Sequence, residues 1–328
     1  MIDETTLRAA LAHPLDGVDL GAIGRHYAGK VRDNWSTPDG RRVLVSSDRV
    51  SAFDRVLGTI PLKGQVLNTL AAWWFERTKD LVPNHMISCP DASVMVAWEC
   101  EPLPVEVVVR SYLTGVTSTS VWTAYARGDR EFCGHALPDG LKKNDPLPEP
   151  IVTPSTKAPK GGHDVSVSAD ALVAEGVISR DDMETVSRMA LALFAAGREH
   201  CAKQGLILVD TKYEFGRLPA SRGGGIVVID EVHTPDSSRY WFTESYAERH
   251  ARGEEPESFD KEYLRRWLAA QGFTGDGDAP ALTDEVRVES ARRYVEAYEK
   301  ITGSAFVADL RPPVERVRAA LRAEGFEV

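Results

Sequence analysis

Hydrophobic and polar positions alternate most tellingly between residues 206 and 231. Two apolar runs, Leu206-Ile207-Leu208-Val209 and Ile226-Val227-Val228-Ile229, flank a turn-rich stretch at residues 219–225, and each runs into acids. The first continues as Asp210-Thr211-Lys212-Tyr213-Glu214 and the second as Asp230-Glu231. This reads as a β-hairpin. Strand side chains alternate with period two, so Asp210, Lys212 and Glu214 share a face. A loop centred near Arg222 puts Glu214 opposite Asp230. Like charges directly opposed across a ladder are destabilising, and a hard divalent cation is the usual reason to tolerate them. The plainer alternative is a solvated hairpin face carrying ordinary surface charge.

The same reading predicts the other elements. Residues 25–35 and 42–46 form strands around the turn Thr37-Pro38-Asp39-Gly40. Val66, Leu67, Leu70, Trp73 and Trp74 recur at helical spacing over residues 65–79, which makes those aromatics core. Residues 105–109 make a short valine-rich strand, interrupted by Glu106 and ending at Arg110. Residues 142–164 contain Pro146, Pro148, Pro150, Pro154 and Pro159 and read as a structureless loop, either a lid or a disordered segment. Ser179 caps a helix over residues 183–204 that Gly205 ends, and residues 261–271 form a short amphipathic helix. Residues 272–280 read as a linker, Thr283 caps a helix to about residue 302, and Pro312-Pro313 opens the last one.

Composition narrows the function classes. A chain of 328 residues can bury a substantial core and divide into two lobes. Its net charge of -10 argues against nucleic acid as a partner, so an anionic substrate must meet a local basic pocket. Cys89, Cys100, Cys133 and Cys201 show no C-x-x-C spacing, which suggests buried thiols in a reducing cytoplasm. The start, Met1-Ile2-Asp3-Glu4-Thr5, has no apolar h-region, and no apolar run approaches the roughly 20 residues that span a bilayer. Neither a secretory signal nor a membrane partner is expected.

Several motifs could complete a nucleotide site. Gly29-Lys30-Val31-Arg32-Asp33 falls within the first strand pair, where glycine permits close backbone approach and two cations project at period two. It is neither G-x-G-x-x-G nor a Walker A loop, and a basic strand face is a common alternative. Ser46-Ser47-Asp48-Arg49-Val50-Ser51-Ala52-Phe53-Asp54 packs hydroxyls, acids and an arginine into one turn, which could equally be a cap or a surface loop. Thr234-Pro235-Asp236-Ser237-Ser238-Arg239 follows the acidic hairpin, and its hydroxyls and forked guanidinium suit a phosphate monoester. No G-x-S-x-G elbow is present, and the eight histidines show no zinc-type spacing. His163-Asp164 is the one pair of interest among them.

Taken in order, these strings resemble the phosphoribosylaminoimidazole-succinocarboxamide synthase family, the SAICAR synthetases. The resemblance runs from about Gly29 to about Ala305. Besides the motifs above it rests on Lys63-Gly64 with Asn68, on Glu106-Val107-Val108-Val109-Arg110 followed by Tyr112-Leu113-Thr114-Gly115, on Thr153-Pro154-Ser155-Thr156-Lys157-Ala158, on Asp210-Thr211-Lys212 with Glu214-Phe215-Gly216, and on Asp230-Glu231-Val232. The Thr153 to Ala158 motif is similar to that of the longer, single-function form. The resemblance implies a ligase of purine biosynthesis that uses ATP, L-aspartate and carboxyaminoimidazole ribonucleotide and passes through an acyl phosphate. It implies Mg2+ on Glu214 and Asp230, and a nucleotide site taking in Gly29, Lys30, Val31, Arg32 and Glu106. Arg110, Asp210, Ser238 and Arg239 are expected at the ribonucleotide. Lys212 is placed with Asp210 at the reacting centre, because its spacing puts it on the metal face. Arg49, Ser51 and Lys63 are candidates for L-aspartate. Where the family has serine after the glycine of Tyr-x-x-Gly, this chain reads Gly115-Val116-Thr117-Ser118-Thr119-Ser120, as if by a short insertion, and Ser120 is the expected phosphate-binding hydroxyl.

The implied fold is α+β in two lobes. Residues 1–110 would form a mainly antiparallel nucleotide-binding lobe like the small lobe of kinases and ATP-grasp enzymes, and residues 111–328 a larger α+β lobe. ATP would lie between them near residues 105–110, and the chain is expected to be a monomer. Two rivals stand beside this reading. A kinase-like phosphotransferase would show H-R-D and D-F-G strings, which are absent. A non-catalytic nucleotide-binding module would have no use for a buried acid pair beside an arginine loop.

Overall fold

The structure is a computed structural model that describes residues 2–52, 55–117, 119–157, 165–259, 262–273, 275 and 277–328. The His163-Asp164 pair, Phe53-Asp54 and Ser118 lie outside the described residues. Two five-stranded antiparallel sheets organise it, with helices packed against them. The α+β class expected from the sequence is what is observed.

The first sheet has the order Arg25–Ala28, Arg32–Ser36, Arg41–Ser46, Val94–Trp98, Met86–Asp91. Its first two strands are a tight hairpin rather than one run over residues 25–35, so Gly29, Lys30 and Val31 form the turn. The period-two argument that put Lys30 and Arg32 on one strand face therefore fails, because Lys30 is not in a strand. The helix Lys63–Thr78 buries Val66, Leu67, Leu70 and Trp74, as its spacing predicts.

The second sheet carries the site. Its order is Pro146–Thr156, Glu101–Tyr112, Leu206–Arg217 and Ile226–Ile229, with Ser238–Phe242 pairing the start of Leu206–Arg217. Period-two alternation gives it two unlike faces. Val105, Val107, Val109, Tyr213 and Phe215 are fully buried, in one core with Met183, Val186, Leu193 and Phe194 of the helix Arg180–Lys203. Ser179 caps that helix through the Asp182 N–H, and Gly205 follows it at φ 71°. The opposite face carries Glu106, Arg110, Asp210, Lys212 and Glu214, which are cross-strand neighbours.

The proline-rich segment is a correction. Residues 146–156 are an edge strand of this sheet, with a register break between Pro146 and Ile151, and not a structureless lid. An edge position accommodates the missing N–H groups of proline. Residues 158–164 of the expected loop lie outside the described residues.

The changeover between the sheets falls at residues 98–101, ahead of the expected division at 110, which is inside the strand Glu101–Tyr112. The last helix, Pro313–Ala323, returns to the first sheet, where Val317 and Leu321 join Trp35, Val43 and Val96 in one core. No helix among the described residues is long and apolar enough to cross a membrane.

Candidate active site

The polar face of the second sheet is a set of opposed charges. Glu214 stands directly across the ladder from Glu106, and Asp210 from Arg110. The like-charge pair anticipated from the sequence therefore exists, but its second member is Glu106 and not Asp230. Glu214 pairs with Ile229, so the hairpin is centred one half-residue earlier than Arg222, and Asp230 leaves the ladder at φ 68°. That left-handed backbone, which aspartate tolerates better than most residues, turns Asp230 into the cavity that Glu214 also lines.

Lysines make the acid pair tolerable. Lys212 Nζ donates to Glu106 Oε1 at 2.8 Å and to Glu214 Oε1 at 2.6 Å, and Lys157 Nζ donates to Glu214 Oε2 at 2.7 Å. Burial by itself would raise the Glu214 carboxyl, yet the two ammonium groups hold it down at about 2. Burial likewise opposes the charge on Lys212, and Glu214 and Glu106 overcome it and raise its pKa. Asp230 is shifted the other way: burial raises its pKa, and Glu214 and Glu231 add to the rise against the pull of Arg32.

Arg32 ties the two sheets together. Its Nη1 donates to Asp230 Oδ1 and its Nη2 to Glu231 Oε2, both at 2.6 Å, while Nε reaches Ser46 Oγ at 3.2 Å. The expected phosphate-lining arginine is thus engaged by carboxylates in this state. Gly29 holds the adjoining turn close: a Cβ there would come within 2.9 Å of the Arg32 carbonyl oxygen.

Of these groups, Gly29, Arg32, Lys157, Glu214 and Asp230 line a cavity of about 480 Å³ between the sheets. Its lining is part apolar, with Leu44, Cys100, Pro102 and Ile229, and part charged, with Lys30, Arg32, Arg42, Lys157, Glu214 and Asp230. It lies beside residues 100–102, ahead of the 105–110 segment expected to border it. A second hollow of about 170 Å³ gathers Arg239, Lys143, Arg265 and Arg266 with Thr117 and Glu255. Between the two, Asp210 Oδ2 lies 3.2 Å from Arg239 Nη1 and 3.5 Å from Arg110 Nη1, and Arg110 Nε donates to Thr153 Oγ1 at 2.9 Å.

Other candidates are placed elsewhere. Ser120 caps the short helix Val121–Ala126, accepting from the Thr123 N–H at 3.2 Å, and the hydroxyl residues that line the second hollow with Arg239 are Thr114, Thr117 and Ser258. Ser238 Oγ is 2.7 Å from Thr211 Oγ1 in a buried contact. Arg49 grips Asp33 through both terminal nitrogens at 3.0 and 3.1 Å and also donates to the Gly29 and Lys30 carbonyls, which makes it a brace for the turn. Lys63 is fully buried against Asp236 at 2.9 Å, and Ser51 sits half-buried in the strand Arg49–Ala52. None of these last three lines either hollow.

Sequence reasoning missed Lys157, Glu231, Arg265 and Arg266. Lys157 was visible in the Thr153 to Ala158 string: it lies two and four residues beyond Ser155 and Thr153, which oppose Glu106 and Val108. Arg265 and Arg266 sit on the helix Glu262–Ala270, where nothing local sets them apart from a solvated basic pair.

An α+β frame that sets opposed carboxylates and ammonium groups along a part-apolar cavity defines a protein built to handle a phosphorylated, nucleotide-like ligand. The comparisons with known proteins narrow this. The model of the SAICAR synthetase family matches residues 25–294. A putative phosphoribosylaminoimidazole-succinocarboxamide synthase 2 of Agrobacterium fabrum is 47% identical over 309 residues, covering 94% of this chain and 97% of that protein. The phosphoribosylaminoimidazole-succinocarboxamide synthase of Legionella pneumophila strain Lens is 49% identical over 291 residues, 88% of this chain and 91% of its own. The SAICAR-synthase of Saccharomyces cerevisiae, solved in complex with SAICAR, superposes with a TM-score of 0.77 at 30% identity, covering 90% of this chain and all of that one. The chain belongs to the SAICAR synthetase family.

Proposed function

We propose that this protein is an ATP-dependent ligase of purine biosynthesis that joins L-aspartate to the carboxylate of carboxyaminoimidazole ribonucleotide. The observation that carries the reading is the convergence of Glu214, Asp230, Lys157 and Lys30 on one part-apolar cavity, in a chain of this family. The apolar lining suits a purine base and the charged lining its phosphates. The second hollow, with its arginines, suits the ribonucleotide phosphate.

Glu214 and Asp230 fit Mg2+, which is held by one or two carboxylates together with substrate phosphates. Bound there, the ion would supply charge neutralisation at the phosphates. The residues do the rest. The substrate carboxylate oxygen forms a bond to the terminal phosphorus of ATP as the bond to the ADP oxygen breaks. The aspartate amine then attacks the acyl carbon, phosphate leaves, and the amine proton passes to solvent. Lys212 lies where it can offset charge on the transferring group, and Arg110 and Arg239, paired through Asp210, can orient the ribonucleotide. The chain would work as a monomer, and in the cytoplasm, the latter in keeping with its four free thiols.

An ADP-release assay tests the reading. Release should require both L-aspartate and the ribonucleotide. Release with a hydroxyl acceptor instead favours a phosphotransferase, and no turnover with any acceptor favours a binding module.

A further inference from the structure

Lys157 and Lys212 both hold Glu214, but their situations differ. Lys212 is on the central strand and divides its ammonium between Glu214 and Glu106, at 2.6 and 2.8 Å. If another cation took the Glu214 carboxylate, Lys212 would still have Glu106. Lys157 follows the end of the edge strand Pro146–Thr156, and the carboxylate it meets is that of Glu214. Its side chain is 27% exposed and lines the same cavity as Lys30 and Asp230. A divalent ion on Glu214 brings a third positive charge to a carboxylate that already meets two ammonium groups, and since Lys212 is also anchored by Glu106, Lys157 is the one that repulsion displaces. The ammonium must then move, and the nearest place that needs a positive charge is whatever anion enters the cavity with the ion.

We propose that Lys157 is a phosphate-binding residue of the ATP-dependent step, parked on the Glu214 carboxylate until a divalent cation displaces it onto the terminal phosphate of the nucleotide. The nucleotide-free site is kept neutral by the same cation that the loaded site uses. Lys157 thereby both competes with the metal in the absence of ATP and assists phosphoryl transfer in its presence. This rests on the ligase reading and on the assignment of Glu214 to the metal.

The test measures Mn2+ binding to the nucleotide-free, full-length chain from the free-ion EPR signal, alongside steady-state kinetics. Lys157→Gln should bind Mn2+ roughly two- to fivefold more tightly than the parent, the range expected for removing a partly exposed ion-pair partner. Its kcat should fall about 100-fold, the scale of losing one charge-stabilising donor. Lys157→Arg keeps the charge and should return Mn2+ affinity to the parent value. Near-UV circular dichroism reports whether each variant is folded. Mn2+ binding by Lys157→Gln no tighter than the parent, or a kcat unchanged in that variant, overturns the proposal while leaving the ligase reading intact. A parent protein that neither binds Mn2+ nor releases ADP removes the ligase reading itself, and the proposal with it.

Discussion

Glu214 is the residue on which most of the site's electrostatics converge, since its two oxygens meet Lys212 and Lys157 and its charge raises the pKa of Asp230. Glu214→Gln should therefore lower kcat by about 100-fold or more while the far-ultraviolet spectrum stays that of the parent; near-normal kcat at saturating Mg2+ would remove Glu214 from the metal. Arg239 makes a different prediction. Its neighbours in the second hollow are Lys143, Arg265 and Arg266, away from the acid pair. Arg239→Ala should raise KM for the ribonucleotide about 10- to 100-fold, the worth of one charged hydrogen bond, and barely change KM for ATP. Equal changes in both constants would place Arg239 at another ligand. That Glu214 and Arg239 belong to charged hollows was legible because motifs with charged residues at fixed spacing survive without knowledge of the fold. The partner of Glu214 was not. Its register depended on where the turn is centred, and the positive φ of Asp230 follows from how the chain must enter the cavity, which no local pattern records.

At the scale of elements, period and capping read well where one side of an element faces a core. The helix Arg180–Lys203 is the example: Met183, Val186, Ala190 and Leu193 mark its buried face and Ser179 its start. Ser179→Ala should cost about 1 kcal/mol in urea unfolding, the usual worth of an N-cap, with KM for every substrate unchanged; a loss of activity at full stability would mean that this helix does more than back the sheet. The edge strand Pro146–Thr156 shows where the reading stops. Its prolines at 146, 148, 150 and 154 suppress every local strand signal, and the segment is a strand only because Glu101–Tyr112 offers it a partner. The turn at Gly29 is the converse case. Its glycine was recognised as a site of close approach, but the object approached proved to be the Arg32 carbonyl, so Gly29→Ala should displace the turn and raise KM for ATP several-fold by titration, and an unchanged KM would dissociate the turn from the nucleotide.

Over the whole molecule, residues far apart in sequence are brought together: Arg32 with Asp230 and Glu231 joins the two sheets, and Val317 of the last helix packs on the first sheet. Such pairings are invisible to periodicity, which records neither the changeover of strands at residues 98–101 nor the return of the last helix to the first sheet. The same burial sets the acid limit of the fold. His85 and His233 are both held near 3. Burial is the main cause for each, helped by Arg42 and Arg32 beside His85 and by His200 beside His233. Each stays neutral in the folded chain while the unfolded chain takes up a proton below about 6.5. The unfolded state thus binds more protons between about pH 6.5 and 3, and stability falls as pH falls through that window. Each histidine should contribute a slope of up to about 1.4 kcal/mol per pH unit there. Glu214, held at about 2, loses its contribution later, as pH drops from the ordinary carboxylate range toward that value. Urea unfolding between pH 7 and 4 should show the decline beginning near pH 6.5, and His85→Gln should flatten it. An unfolding free energy that stays level down to pH 5 would mean that these imidazoles take up protons in the folded state.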